Sequence, residues 1–83
     1  MRIIGEIPHP VMKITVFAMN MRYSIKLEMG FLEQTYKLRE SDYIKDFEDI
    51  YKLVDSTFLG NCIQRFKEMN QDLTGILERN IEK

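Results

Sequence analysis

The sequence predicts an α+β fold, a four-stranded antiparallel β-meander followed by two C-terminal α-helices (ββββαα) packed on one face. Three observations carry this. Residues 23–29 alternate without a fault, with Tyr23, Ile25, Leu27 and Met29 on one side and Ser24, Lys26 and Glu28 on the other, as a strand with one buried and one wet face does. The runs on either side can be laid against it in register. After Ser41 the apolar period changes from two to that of a helix.

Residues 2–7 form a short β-branched run that suits an edge strand, and Gly5 within it suggests a bulge or a close approach by another backbone. Pro8-His9-Pro10 ends any ladder, because two prolines remove two donors and hold the chain extended. Residues 12–18 form the second strand, with Met12, Ile14, Val16 and Ala18 inward and Lys13, Thr15 and Phe17 outward. A tight connection over Met19-Asn20-Met21-Arg22 follows, with Asn20 the residue best suited to a left-handed conformation. Placing Ala18 opposite Tyr23 sets Val16 against Ile25, Ile14 against Leu27, Met12 against Met29, Lys13 against Glu28 and Thr15 against Lys26. A slip of one residue would invert all of these.

Gly30 marks the next turn. Residues 31–39 form the fourth strand, with Leu32, Gln34, Tyr36 and Leu38 inward. The expected register sets Leu27 against Leu32, Lys26 against Glu33 and Ser24 against Thr35, the last two being favourable cross-strand pairs. Gln34 is a misfit on an apolar face, so it either reaches the rim or bonds to a helix.

Ser41 is the expected N-cap of the first helix, whose stripe is Ile44, Phe47, Tyr51, Val54 and Phe58. A break is expected within residues 55–61. The last helix runs to about Glu82, with Leu59, Cys62, Phe66, Met69, Leu73 and Ile76 at seven-residue spacing. A helix of some 20 residues is roughly 30 Å long, more than a small sheet needs for cover. The overhang predicts a homodimer, with Phe66, Met69, Leu73, Ile76 and Leu77 as interface candidates. The expected core is Ile14, Val16, Ile25, Leu27, Leu32, Tyr36, Leu38, Phe47, Tyr51, Val54, Phe66, Met69, Leu73 and Ile76.

The 83 residues make one domain, residues 1–83, with 45% hydrophobic and 30% charged residues and a net charge of -1. That composition is ordinary for a globular protein and sets up no strong field. The charge is zoned: residues 1–39 carry +3, residues 40–55 carry -4 and residues 56–83 carry zero. One cysteine, Cys62, excludes an internal disulfide and a four-cysteine zinc site and points to a reducing compartment. The opening Met1-Arg2-Ile3-Ile4-Gly5-Glu6 is too soon interrupted by charge to read as a signal peptide, and no apolar run has the roughly 18 residues of a membrane span. The expectation is a cytoplasmic protein with no membrane partner.

Catalysis is not expected. The single histidine, His9, lies between prolines, and the single cysteine lies on an apolar helical stripe; nucleophilic chemistry needs such a pair in contact, with a third group to orient the base. The acids of residues 40–49 match no calcium loop. The four glycines are isolated, so no phosphate loop is present. No catalytic, metal or cofactor residue is assigned, and no cofactor is expected.

The wet face offers Lys13, Phe17, Lys26, Lys37 and Arg39 as nucleic-acid-binding candidates beside Thr15 and Ser24, with Glu28 and Glu33 opposing phosphate. The element order resembles the ββββα architecture of Whirly, Pur-alpha and related single-stranded nucleic-acid binders. That resemblance covers most of the chain but no binding motif. It implies dimers formed through the helices and an open sheet that carries bases and phosphates. The strand–Pro8-His9-Pro10–strand opening is also similar to that of short uncharacterised bacterial proteins, which supplies no function. The leading expectation is a small non-enzymatic interaction domain acting as a homodimer, with single-stranded nucleic-acid binding through the basic face as the alternative. A further protein partner could dock on the acidic first helix, through Tyr43, Tyr51 and Phe58, and an exposed Met19-Met21 tip would favour it.

Overall fold

A computed structural model describes residues 1–81, and the expectation that the last helix reaches Glu82 lies outside them. Strands β1 (Arg2–Ile7), β2 (Lys13–Met19), β3 (Arg22–Met29) and β4 (Leu32–Arg39) form one open antiparallel sheet in chain order. Helices α1 (Phe47–Leu53) and α2 (Ser56–Ile81) follow, which completes the expected ββββαα arrangement.

The β2–β3 register is as the alternation requires: Ala18 pairs with Tyr23, Val16 with Ile25, Ile14 with Leu27, Thr15 with Lys26 and Lys13 with Glu28. The turn between them has Asn20 and Met21 both at positive φ, 45° and 61°. That is the condition for a two-residue turn matching the twist of its strands. Gly5 marks the expected bulge, and the close approach there is made by a side chain rather than by another backbone. The β1–β2 register shifts between Ile3 and Gly5, and the Phe47 ring of α1 lies directly over Gly5.

The β3–β4 register differs from expectation by two residues. Met29 pairs with Leu32, Leu27 with Gln34, Lys26 with Thr35 and Ser24 with Lys37. The cause is the turn: Gly30, at φ +62°, and Phe31 close the hairpin alone, as a two-residue loop with glycine first allows. A shift of two leaves every side chain on its expected face.

Ser41 does not cap α1. Its backbone closes a short turn with Ile44, and its hydroxyl accepts from the Tyr43 amide at 3.3 Å. Asp46 is the N-cap, accepting from the Asp49 amide at 3.0 Å. The late start turns Ile50 into the core and leaves Tyr51 half exposed. The break falls at Val54-Asp55, and the Asp55 carboxylate accepts from the Phe58 amide at 2.8 Å to start α2. Gly60 and Asn61 lie within α2.

Both helices cover the inward face. Ile14, Val16, Leu27, Ile50, Cys62 and Phe66 are the most completely buried side chains, each of the large ones worth about 1.5–3 kcal/mol relative to exposure. Tyr23, Ile7 and Met12 join them; Leu32, Tyr36, Leu38, Phe47 and Met69 pack at the margin. Leu73 and Ile76, expected in the core, are exposed. At 26 residues, α2 is about 39 Å long, whereas an eight-residue strand spans roughly 26 Å. The radius of gyration is 15.4 Å and the longest dimension 53 Å, against a radius of about 12 Å for a compact chain of this length.

Candidate interaction surfaces

The first surface is the free run of α2. The stripe that seats Cys62 and Phe66 on the sheet continues past Met69 with nothing beneath it among the described residues. Leu73, Ile76 and Leu77 are 47%, 46% and 54% exposed, and Ile81 more so. Of the five interface candidates, Phe66 is committed to the protomer's own core, Met69 lies at its margin, and Leu73, Ile76 and Leu77 are outside it. A groove of about 380 Å³ runs between the β3–β4 turn and α2, lined by Met29, Phe31, Leu32, Phe66, Asn70 and Leu73. The Phe31 ring stands fully exposed at its rim.

The second surface is the outward face of the sheet, whose strand pairing sorts its side chains into rows. Lys13, Glu28 and Glu33 share one end; Glu6, Thr15, Lys26 and Thr35 follow; then Ile3, Phe17, Ser24 and Lys37; and Met19, Arg22 and Arg39 close the other end. Lys26 Nζ lies 3.7 Å from Glu28 and 3.6 Å from Glu33. These are the only ion pairs among the described residues. The face is therefore acidic and self-paired at one end, basic and apolar at the other. A concavity of about 360 Å³ runs from Phe17, Met19 and Arg22 at the basic end past Ser24 and Lys37 to Lys26, Thr35 and Glu33, a volume at the lower end for small-ligand sites.

Of the nucleic-acid-binding candidates, Phe17, Lys26 and Lys37 meet at this concavity, Arg39 pairs across from Arg22 beside it, and Lys13 lies at the acidic end opposite Glu28. Arg22 was missed. It continues the Ser24, Lys26, Glu28 alternation by one step, but beginning the strand at Tyr23 assigned it to the turn.

His9, Gln34, Tyr36 and Arg65 are occupied within the fold. His9 Nδ1 accepts from the amides of Val11 and Met12 at 3.1 and 3.3 Å, which shapes the turn into β2. Tyr36 OH donates to Gln34 Oε1 and accepts from Arg65, both at 2.9 Å, with the buried Cys62 thiol 3.9 Å away. Burial, followed by the Cys62 thiol, pushes the Tyr36 phenol up, and the Arg65 guanidinium partly offsets this. The Met19-Met21 tip is exposed, as is Tyr43, whereas Phe58 packs edge-on against Tyr36 at 5.1 Å. Among the described residues no helix is long and apolar enough to cross a membrane.

No family model, no curated protein and no solved structure matches this chain.

Proposed function

We propose that this chain is a non-enzymatic interaction domain that works as a homodimer joined through the distal part of α2. The observation that carries the reading is the apolar stripe of Leu73, Ile76 and Leu77, exposed on a helix that outruns its sheet. Contiguous exposed apolar surface of this kind marks an association site. The exposed Met19-Met21 tip adds a place for a further protein partner, since methionine surfaces adapt to their ligands. Sedimentation velocity across the micromolar range tests the homodimer. A species of twice the chain mass that persists in high salt and is lost in Leu73→Asp is the expected result. A monomer at high micromolar concentration overturns it.

A second reading, single-stranded nucleic-acid binding by the outward face, is favoured by one observation. Arg22 and Lys37 line the concavity with Phe17, Arg39 pairs across from Arg22, and none of the three has a carboxylate partner among the described residues. That combination suits phosphate and a stacked base, and the element order of the Whirly and Pur-alpha binders supports it. Anisotropy of a labelled oligonucleotide at about 50 and about 200 mM salt tests it: binding should fall steeply with salt and be lost in Lys37→Glu. No binding at the lower salt removes this reading.

A further inference from the structure

The homodimer reading leaves open how two copies meet, and the inference below rests on that reading. The positions of α2 that face the sheet repeat every seven residues: Leu59, Phe66 and Leu73 in one line, Cys62, Met69 and Ile76 in the other. The first members of each line lie against the fold, and the last are bare. A seam with this spacing fits the side of another helix, because seven residues make almost two turns and keep the seam aligned.

We propose that the bare seam takes the same segment of a second copy, antiparallel, about a twofold axis passing between Thr74 and Gly75. Four consequences of that placement agree with what the residues are. Leu73 of each copy falls level with Ile76 of the other, so apolar meets apolar twice. Met69 falls level with Asn80, at the edge where the sheet begins. On one flank Asp72 of each copy faces Arg79 of the other, giving two ion pairs of opposite charge. Neither Asp72 nor Arg79 has an ion-pair partner among the described residues. On the opposite flank Leu77 of one copy arrives beside Asn70 of the other, at the mouth of the groove between Phe31 and α2. A parallel pairing would instead set Asp72 beside Leu77 and offer neither ion pair.

The groove gives Phe31 a purpose that the monomer does not. It is a fully exposed aromatic at a turn whose geometry needs only Gly30. In the antiparallel dimer Phe31, Met29 and Leu32 form the wall against which Leu77 of the second copy packs. Buried aromatic and aliphatic anchors of this kind carry most of an interface's energy.

The test is sedimentation velocity on the full chain at low salt, with circular dichroism to confirm that each variant is folded. Asp72→Arg and Arg79→Asp each replace two attractions by two repulsions, and each is expected to weaken the dimer about tenfold. The double variant Asp72→Arg/Arg79→Asp restores opposite charges and is expected to return the affinity to within a few-fold of the parent. Phe31→Ser, at a site outside the core, is expected to weaken the dimer without lowering the monomer's stability. If the parent dimerises but neither single reversal weakens it, or the double variant fails to recover, this antiparallel geometry is overturned while the homodimer reading stands. If the parent is a monomer, both fall together.

Discussion

Gln34 donates from Nε2 to the backbone carbonyl of Cys62 at 2.8 Å, tying the edge strand β4 to the second turn of α2. Its other amide atom, Oε1, accepts from Tyr36 OH at 2.9 Å. The one polar residue on an apolar face is thus a bracket between two elements that Tyr36 also joins, through Arg65 and Phe58. Gln34→Leu removes both bonds and leaves the Tyr36 hydroxyl without its acceptor. A net bond is worth about 1 kcal/mol and an orphaned buried partner costs about 1–3, so a loss of roughly 2 kcal/mol is expected in urea denaturation. An unchanged midpoint would mean that water serves these groups as well as the bracket does.

Gly5 and Phe47 are matched by absence and presence. A Cβ built at Gly5 would lie 2.7 and 2.8 Å from the ring's Cδ1 and Cζ, inside van der Waals contact with a packed side chain. Gly5→Ala should therefore destabilise by about 1–3 kcal/mol, the range for overpacking. The cost should largely vanish when Phe47→Ala is already present, because the two positions then no longer collide. Additive losses in the double-mutant cycle would place the penalty in the β1 bulge instead.

Legibility in the sequence followed the physics of each element. The β2–β3 pair could be read because an error of one residue would have put Ile25 and Leu27 in water. The β3–β4 pair could not, because an error of two keeps Leu32, Gln34, Tyr36 and Leu38 inward, and only the length of the Gly30-Phe31 turn decides. Ser41 and Asp46 are equally good caps by residue type. The choice is tertiary, since the Tyr23 hydroxyl holds the Lys45 carbonyl and keeps residues 40–46 as a linker. Periodicity identified the face of α2 that carries Leu73 and Ile76 but could not say where the sheet beneath it stops. On the outward face the cations were visible in the sequence. Their sorting into a self-paired end around Lys26 and an open end around Arg22 needed the register.

Met21 sits at φ 61° and is largely exposed, a conformation that costs an L-residue with a Cβ roughly 1–2 kcal/mol. Glycine adopts it freely but loses more chain entropy on folding, about 0.5–1 kcal/mol. Met21→Gly creates an Asn-Gly turn, the favoured pair for this hairpin, and keeps the carbonyl that accepts from the Glu40 amide at 2.8 Å. A gain of about 0.5–1 kcal/mol is expected, seen as a higher melting temperature with an unchanged denaturant slope. A lower melting temperature would show that the Met21 side chain contributes contacts that outweigh its backbone strain.

Tyr23 gives the fold a dependence on alkaline pH. Its hydroxyl donates to the Lys45 carbonyl at 2.6 Å. Burial first, then the negative charges of Glu40, Asp46 and Asp49, raise the phenol above its ordinary 10.0. The folded state thus holds this proton more tightly than the unfolded state does. Its contribution is fully present below the ordinary phenol range and is lost as pH rises through the folded value, because the unfolded chain gives up its proton first. Tyr23→Phe removes the bond and the titration together. At about pH 8 the variant should be less stable by about 1 kcal/mol. The gap should narrow as pH climbs above about 10, even though the raised Tyr36 phenol keeps some alkaline slope in both proteins. Urea midpoints measured for the two proteins along that pH range decide the matter. A gap that stays constant would mean that the Tyr23 proton is held no more tightly in the folded chain than in the unfolded one.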